Sequence, residues 1–343
     1  MICDNFEIFN AEEVFPSATG EGICWRRIPE NVEKSLESAG GFDCSRNCTG
    51  VEIRFIMNGD SAVVRMAKER MDEETNVFHV FFGSVQGSWE DCELNKYVGE
   101  NFVDYVIKKP SDFKTVRKMA EKDGNWFSPD VCRIVFDRGF YRLLEVKGDV
   151  SLPEKKMLPR KTILFYGSSI THGSNSIDAS HSFASVVGWN LRCDVRNLGF
   201  AGSCYMEPSF IDYIAESGEK NLWDVAVLEL GINVLPWEED KIRKRVRYAV
   251  ETVATKNKSK KVFVISPFYS NDDFSDKGVM SDKWRKIIKE TVDDLSLDNV
   301  VYVNGKSVLS SAKFLSADLV HPNVYGVQKI ADKLTRLLKK EVI

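Results

Sequence analysis

Beyond residue 160 the hydrophobic positions of the chain alternate between short apolar runs and longer stretches with helical spacing. Several of the runs are continuous, which is typical of strands buried on both faces of a parallel sheet. Strands are predicted at residues 162–166, 194–198, 224–230, 262–266 and 300–303, and helices near 182–191, 207–216, 238–255, 281–295 and 323–340. Because strands separated by helices imply right-handed crossovers, this half is predicted to be a doubly wound parallel α/β sheet.

The first 150 residues have a different pattern, in which apolar and polar positions alternate over short stretches without helical spacing. Strands are predicted at residues 51–57, 62–66, 77–82, 102–107, 131–136 and 141–146. The turn Asn58-Gly59-Asp60 between the first two predicts a hairpin. Residues 113–122 are compatible with either a short helix or an irregular connection. This half is therefore predicted to be an antiparallel β-sandwich.

The length of 343 residues exceeds the usual range of a single domain, so two domains are expected. Pro153 and Pro159 stand among few apolar side chains in residues 151–160, which are predicted to be a linker. The predicted organisation is a β-sandwich domain at 1–150, this linker, and an α/β domain at 161–343.

Composition and charge exclude several classes of function. The 47 Lys and Arg residues are balanced by 51 Asp and Glu residues, and a net charge of −4 offers no basic surface for nucleic acid. No apolar stretch approaches the length of a membrane span, and the first residues lack an export signal, so a cytoplasmic protein is expected. Cys44 and Cys48 have no second cysteine or histidine pair at zinc spacing, so no metal is predicted. No glycine-rich loop with Lys-Ser/Thr follows the first strand of the second half, so nucleotide binding is not predicted, and no other cofactor is expected.

Four short motifs of the second half stand at strand ends or just before the last helix. They are Gly167-Ser168-Ser169-Ile170-Thr171, Asn197-Leu198-Gly199-Phe200-Ala201-Gly202, Glu229-Leu230-Gly231-Ile232-Asn233 and Asp318-Leu319-Val320-His321-Pro322-Asn323. Open α/β sheets bind their ligands at the carboxyl ends of the strands, so these motifs are expected to meet at one site.

The motifs contain the groups that an acyl-transfer reaction requires. A serine hydroxyl such as that of Ser169 needs an adjacent base, which His321 can supply, and Asp318 can orient the imidazole. Backbone N–H groups of Ser169 and Gly202 and the side-chain amide of Asn233 form a candidate oxyanion hole. Simpler interpretations also exist, in which Ser169 is only a helix N-cap and the others are turn residues.

With these four motifs in this order, the chain beyond residue 160 resembles the SGNH superfamily, also called GDSL-type esterases and lipases. The resemblance implies a flavodoxin-like α/β domain and a carboxylic ester hydrolase. It also implies a catalytic triad of Ser169, His321 and Asp318, with an oxyanion hole formed by Ser169, Gly202 and Asn233.

The run Gly-Ser-Ser-Ile-Thr-His-Gly at residues 167–173 is most similar to a subgroup with an N-terminal β-sandwich of jelly-roll type. Acetylesterases acting on carbohydrates are common in that subgroup. Two positions depart from the usual family pattern. Ser168 replaces an aspartate before the nucleophile, and Val234 replaces an aspartate that often follows the asparagine. Neither position belongs to the triad.

The predicted function is hydrolysis of short acyl esters, acetate foremost, on a small molecule or an oligosaccharide. The polar composition of residues 171–182 suits hydrogen bonding to hydroxyl groups, although a surface loop is also polar without any such role. Two alternatives stay open: a general acylhydrolase of short to medium chains, and a carbohydrate-binding protein with an idle hydrolase domain. His172 and His181 are predicted at the surface or the substrate rim. The sequence carries no indication of the oligomeric state.

Overall fold

The structure, a computed structural model, describes residues 1–70, 77–88, 96–274 and 278–342. The chain forms two compact units: Met1–Pro29 with Arg46–Arg160, and Glu30–Ser45 with Lys161–Ile343. The predicted linker lies in the first unit, and a segment from the first half of the sequence belongs to the second. The domain boundaries stay predictions, since a compact unit is not by itself an independent folding domain. Within the described ranges, no helix is both long and apolar enough to cross a membrane.

The secondary structure follows the two predicted patterns. The strands of the first unit are β1 (Glu7–Phe9), β2 (Glu13–Pro16), β3 (Ile23–Arg26), β4 (Glu52–Met57), β5 (Ser61–Lys68), β6 (Val77–Phe82), β7 (Val85–Gln86), β8 (Lys96–Tyr97), β9 (Val103–Lys108), β10 (Val131–Phe136), β11 (Tyr141–Lys147) and β12 (Val150–Ser151). Those of the second are β13 (Thr162–Gly167), β14 (Asp194–Gly199), β15 (Val225–Glu229), β16 (Lys261–Ile265) and β17 (Val300–Val303).

The helices are α1 (Glu30–Glu33), α2 (Ala39–Arg46), α3 (Phe113–Lys122), α4 (Ser169–His172), α5 (Phe183–Leu191), α6 (Pro208–Glu219), α7 (Glu239–Lys256), α8 (Gly278–Leu295), α9 (Gly305–Val308) and α10 (Val324–Val342). Residues 113–122 are therefore helical rather than irregular. The predicted helices of the second half are all present, with ends displaced by a few residues, as is usual where helix ends fray.

Two antiparallel sheets build the first unit. One has the strand order β1-β4-β10-β6-β7, with β12 beside β4 and β8 beside β6, and the other has the order β2-β3-β11-β5-β9. Their shared core contains Ile53 and Phe55 from the first sheet and Val64 and Met66 from the second, all fully buried. The predicted antiparallel sandwich is confirmed.

The predicted hairpin at residues 58–60 is wrong. Strand β4 lies in one sheet and β5 in the other, so the turn carries the chain between the sheets. The N–H groups of Asn58 and Gly59 donate to the carbonyl of Asp149, at 2.8 and 3.3 Å. An Asn-Gly turn predicts that the chain reverses, but the strand that pairs next depends on partners distant in sequence.

The sheet of the second unit is parallel, with the order β14-β13-β15-β16-β17 among the described strands. The chain first moves from β13 to β14 on one side, and then crosses back to β15 on the other. The strand order therefore reverses at β13, and a crevice forms beyond the carboxyl ends of the strands at such a point. The predicted doubly wound, flavodoxin-like sheet is confirmed.

A buried ion-pair network joins two neighbouring strands within one sheet of the sandwich. Glu52 on β4 accepts hydrogen bonds from Nε of Arg54 at 2.8 Å and from the guanidinium of Arg133 at 2.5 and 2.8 Å. Burial opposes ionisation of Glu52, but the charges of Arg133 and Arg54 outweigh it and lower its pKa to about 2. The carboxylate is therefore charged at neutral pH and compensates two arginines.

We expect Glu52→Gln to destabilise the sandwich by about 3–5 kcal/mol, because it leaves two largely buried guanidinium groups without their carboxylate. Urea unfolding followed by tryptophan fluorescence measures the change. Glu145→Gln is the matched control, since the Glu145–Lys147 pair is partly exposed and its loss should cost about 1 kcal/mol or less. Equal effects of the two substitutions would contradict the assigned role of Glu52.

Candidate active site

The turn after β13 positions Ser169. Ser168 is the N-cap of α4, and its side chain accepts a backbone N–H of that helix. Gly167 is required at the end of the strand, because a Cβ there would lie 2.6 Å from Oε2 of Glu229 and closer still to the hydroxyl of Thr171. Ser169 therefore begins α4 at the carboxyl end of the strand where the order reverses, and its side chain is partly exposed.

Three predicted residues form a continuous hydrogen-bonded chain. The Nε2 atom of His321 lies 2.7 Å from Oγ of Ser169, and its Nδ1 atom lies 2.8 Å from Oδ2 of Asp318. Ser169 and His321 are 152 positions apart in the sequence, so the fold rather than the local sequence brings them together. In this geometry the imidazole can accept the serine proton on one nitrogen while the other donates to the carboxylate.

The carboxylate of Asp318 is held by four donors in total. Its Oδ1 atom accepts the backbone N–H groups of Val320 and His321, both at 2.9 Å. Its Oδ2 atom accepts the amide of Asn175 at 2.7 Å, beside the imidazole. Partial burial opposes its ionisation, but the hydrogen bonds from Val320 and His321 outweigh it and hold the pKa of Asp318 below its ordinary value. The acid is therefore ionised and fixed in orientation at neutral pH.

Asn175 was not predicted as a site residue. Its backbone is left-handed, with a φ of 62°, which asparagine tolerates better than most residues. Its contact with Asp318 spans 143 positions. Asn175 is one of several polar residues in its loop, and nothing in the sequence distinguishes it as a partner of Asp318.

The candidate oxyanion donors follow β13 and its two neighbours. Gly202 follows β14, has a φ of 66°, and has no atom within 4 Å of where a Cβ would stand. Asn233 follows β15, and its Oδ1 accepts the N–H of Cys204 at 3.1 Å, so its Nδ2 is the end of the amide that can donate to a substrate. Ser169 is the first residue of α4, where a backbone N–H has no partner within the helix. The structure thus brings the predicted donors to one edge of the sheet.

A buried carboxylate lies behind the serine turn. Oε2 of Glu229, at the end of β15, accepts the N–H and the hydroxyl of Ser168, both at 2.7 Å, and the hydroxyl of Thr171 at 3.1 Å. Glu229 is fully buried, and within the described residues its Oε1 has no hydrogen-bond partner. Ser168 stands where the family pattern has an acid, and here a carboxylate from the neighbouring strand contacts that position.

Glu229 belongs to the third strand-end motif, but the sequence predicts no role for it. A charged side chain at the end of the apolar run Val225–Glu229 was the available signal, because burying a carboxylate is costly unless it is hydrogen-bonded. Burial raises the pKa of Glu229 to about 7, against hydrogen bonds from Ser168 and Thr171 that favour the charged form.

The two histidines near Ser169 differ from each other. His172 is buried, not at the surface or rim as predicted, because its backbone packs directly against Gly199 at the end of β14. His181 is exposed, and its Nδ1 lies 3.0 Å from Oδ1 of Asp178. The hydrogen bond with Asp178 raises the pKa of His181.

We expect Glu229→Gln to remove a pH dependence of stability. The folded protein holds a proton on Glu229 up to about pH 7, whereas the unfolded chain releases it near pH 4.5, so wild-type stability falls as pH rises between these values. Between pH 5 and 8 the wild type should lose about 2–3 kcal/mol relative to the variant. Urea unfolding at both pH values measures the difference.

The control for that measurement is Glu216→Gln, which removes an exposed carboxylate on α6. Its pH profile should follow that of the wild type. Parallel profiles for the wild type and Glu229→Gln would mean that Glu229 does not titrate in this range.

A sequence model described as the GDSL-like lipase/acylhydrolase family matches residues 160–339, just over half of the chain. No curated protein sequence matches the chain.

Several solved structures share the fold at low sequence identity. A salicylyl-acyltransferase from a tetracycline biosynthetic pathway, SsfX3, has a TM-score of 0.77 at 14% identity and covers 99% of this chain and 96% of its own. A family two carbohydrate esterase from Clostridium thermocellum in complex with cellohexaose has a TM-score of 0.59 at 16% identity, covering 86% and 94%. The acetyl xylan esterase Est2A from Butyrivibrio proteoclasticus has a TM-score of 0.59 at 10% identity, covering 99% and 96%.

These identities establish similarity of fold, whereas the sequence match over residues 160–339 establishes the family. The predicted resemblance to SGNH/GDSL-type hydrolases is thereby confirmed. The chain belongs to the GDSL-like lipase/acylhydrolase family, and it is a carboxylic ester hydrolase.

Proposed function

We propose that the protein is a serine esterase that removes short acyl groups, acetate foremost, from carbohydrates or similar polyols. The observation that carries the proposal is the hydrogen-bonded chain from Ser169 through His321 to Asp318. A serine beside a base that is oriented by a carboxylate is the arrangement that acyl transfer requires.

In the proposed reaction, Oγ of Ser169 attacks the ester carbonyl carbon while Nε2 of His321 takes the serine proton. The N–H groups of Ser169 and Gly202 and the amide of Asn233 stabilise the negative charge on the carbonyl oxygen. The alcohol leaves with the proton from His321, and an acyl-serine remains. Water then attacks the acyl carbon with His321 as base, and the carboxylic acid is released as Ser169 regains its proton.

The same acyl-enzyme can transfer its acyl group to an alcohol instead of water. Because a salicylyl-acyltransferase has a similar fold, the ratio of transfer to an alcohol over transfer to water is worth measuring. Hydrolysis is the reaction proposed here, because the chain belongs to a family of acylhydrolases. If adding a polyol increases the amount of acylated polyol and decreases the amount of free acid, acyl transfer is the favoured reaction.

The support for a carbohydrate substrate comes from the neighbours described as carbohydrate and acetyl xylan esterases. The polar loop at residues 171–182 contributes less than its composition suggests. Ser176, Asp178 and Ser182 are buried, and their side chains bond to the loop itself or cap the next helix. In the same loop Asn175 and His181 are exposed, and Ser174 and Ser180 are partly exposed.

Ser169→Ala should lower kcat by at least about 10⁴-fold without unfolding the protein, because it removes the attacking oxygen and no core volume. Hydrolysis of p-nitrophenyl acetate measures the rate, and circular dichroism checks the fold. Ser168→Ala is the matched control, since the Ser168 hydroxyl bonds to Glu229 rather than to His321. It should keep turnover within about tenfold of the wild type. Inverted results would place the nucleophile at Ser168.

A series of p-nitrophenyl esters from acetate to palmitate, tested beside acetylated xylo-oligosaccharides, measures the substrate preference. We expect kcat/KM to be highest for acetate and acetic acid to be released from the oligosaccharides. A maximum at eight or more carbons, with no release from sugars, would indicate a general acylhydrolase. Binding of the oligosaccharides without hydrolysis of any ester would indicate a carbohydrate-binding protein with an idle hydrolase domain.

A further inference from the structure

A segment from the first half of the sequence belongs to the α/β unit. Residues 30–45, here called segment 30–45, follow strand β3 of the sandwich and precede β4, yet they cluster with residues beyond 160. The segment contains the short helix α1 and most of α2. Hydrogen bonds and ion pairs join it to residues of the α/β unit beyond position 160.

The contacts concentrate on loop 200–207, which follows β14 and contains Gly202. The hydroxyls of Ser38 and Ser203 are 2.8 Å apart, and Ser203 is buried. The thiol of Cys44 donates to the carbonyl of Ala201 at 3.4 Å. The loop is therefore held on both sides of Gly202 by groups from segment 30–45.

The far end of loop 200–207 is held as well. The backbone N–H of Glu37 donates to the carboxylate of Glu207 at 3.3 Å. The carboxylate of Glu37 pairs with Arg245 on α7, and Arg245 also donates to the carbonyl of Met206 at 3.2 Å. Lys241 lies 3.4 Å from the same carboxylate of Glu37.

Loop 200–207 influences two of the candidate oxyanion donors. It carries the N–H of Gly202, whose left-handed backbone leaves the space beside it open. It also carries the N–H of Cys204, which binds Oδ1 of Asn233 and thereby sets the direction of the amide group. A displacement of this loop would therefore misalign both donors, and oxyanion donors act only when they are held at the position of the developing charge.

We propose that segment 30–45 is a positioning element that holds loop 200–207 so that Gly202 and Asn233 are aligned as oxyanion donors. Ser38 is its principal positioning residue, because its partner Ser203 is buried and directly follows Gly202. The proposal rests on the proposed esterase function for its catalytic consequence. The sandwich half of the sequence thus contributes to the rate of the chemical step through residues that do not touch substrate.

The experiment uses the full chain with Ser38→Ala, Ser203→Ala and the double variant. Each single substitution should lower kcat for p-nitrophenyl acetate about threefold to tenfold, because it removes one hydroxyl hydrogen bond, and KM should change less than about twofold. The double variant should be no slower than the slower single variant, because both remove the same contact.

Ser35→Ala is the matched control. Ser35 lies on the same segment and its hydroxyl also bonds across to the α/β unit, but to Ser209 on α6, outside loop 200–207. This variant should leave kcat and KM unchanged. Equal kcat values for Ser38→Ala and Ser35→Ala, or a raised KM with unchanged kcat, would overturn the proposal.

Hydrogen exchange supplies a readout that does not depend on turnover. In Ser38→Ala the amides of residues 200–207 should exchange at least about threefold faster than in the wild type and in Ser35→Ala. Unchanged exchange would overturn the positioning role even if activity fell. A wild type without activity on any ester would instead overturn the proposed function, and the exchange result would still decide whether the segment holds the loop.

Discussion

The arrangement of the active-site edge depends on the hydrogen bonds that Glu229 accepts from Ser168 and Thr171. They tie the end of β15 to the turn after β13, and so fix two neighbouring strands relative to Ser169. The contact is close enough to require glycine at position 167. Hydrogen bonds on both sides of Ser169 thus hold the turn whose hydroxyl contacts His321, a residue 152 positions later in the sequence. A well-placed hydroxyl costs less reorganisation at the moment of reaction.

A carboxyl group in this position has an electrostatic consequence. Because its pKa is raised to about 7, Glu229 gains or loses its proton near neutral pH, where most glutamates are ionised. An anion behind the serine turn would oppose the negative charge that develops on the carbonyl oxygen, whereas a neutral carboxyl would not. Asp318 has the opposite environment, with its pKa held low by donors. Their surroundings thus give two carboxyl groups of one site different pKa values.

Much of this could be predicted from the sequence because the signals are local. The buried run 162–166 and its polar end predict a strand and a reactive turn, and four motifs in order indicate the family. The failures are long-range. The turn at Asn58 and Gly59 predicts reversal but not the sheet of the next strand, and Asn175 meets Asp318 only in the folded chain. The place of segment 30–45 in the other unit could not be predicted either, because its hydrogen bonds join it to residues 157 to 170 positions away.

The discontinuity of the α/β unit has a consequence for biosynthesis. Segment 30–45 leaves the ribosome 157 to 208 residues before its partners, which at about 5–20 residues per second is roughly 8–42 s. The sandwich sequence is complete by Arg160, so its two sheets can form while the segment is still an unpaired loop between β3 and β4. Such a loop costs little closure entropy. The α/β unit, by contrast, can be completed only after the residues beyond 160 have been synthesised, so its segment from the first half of the sequence must wait for its partners.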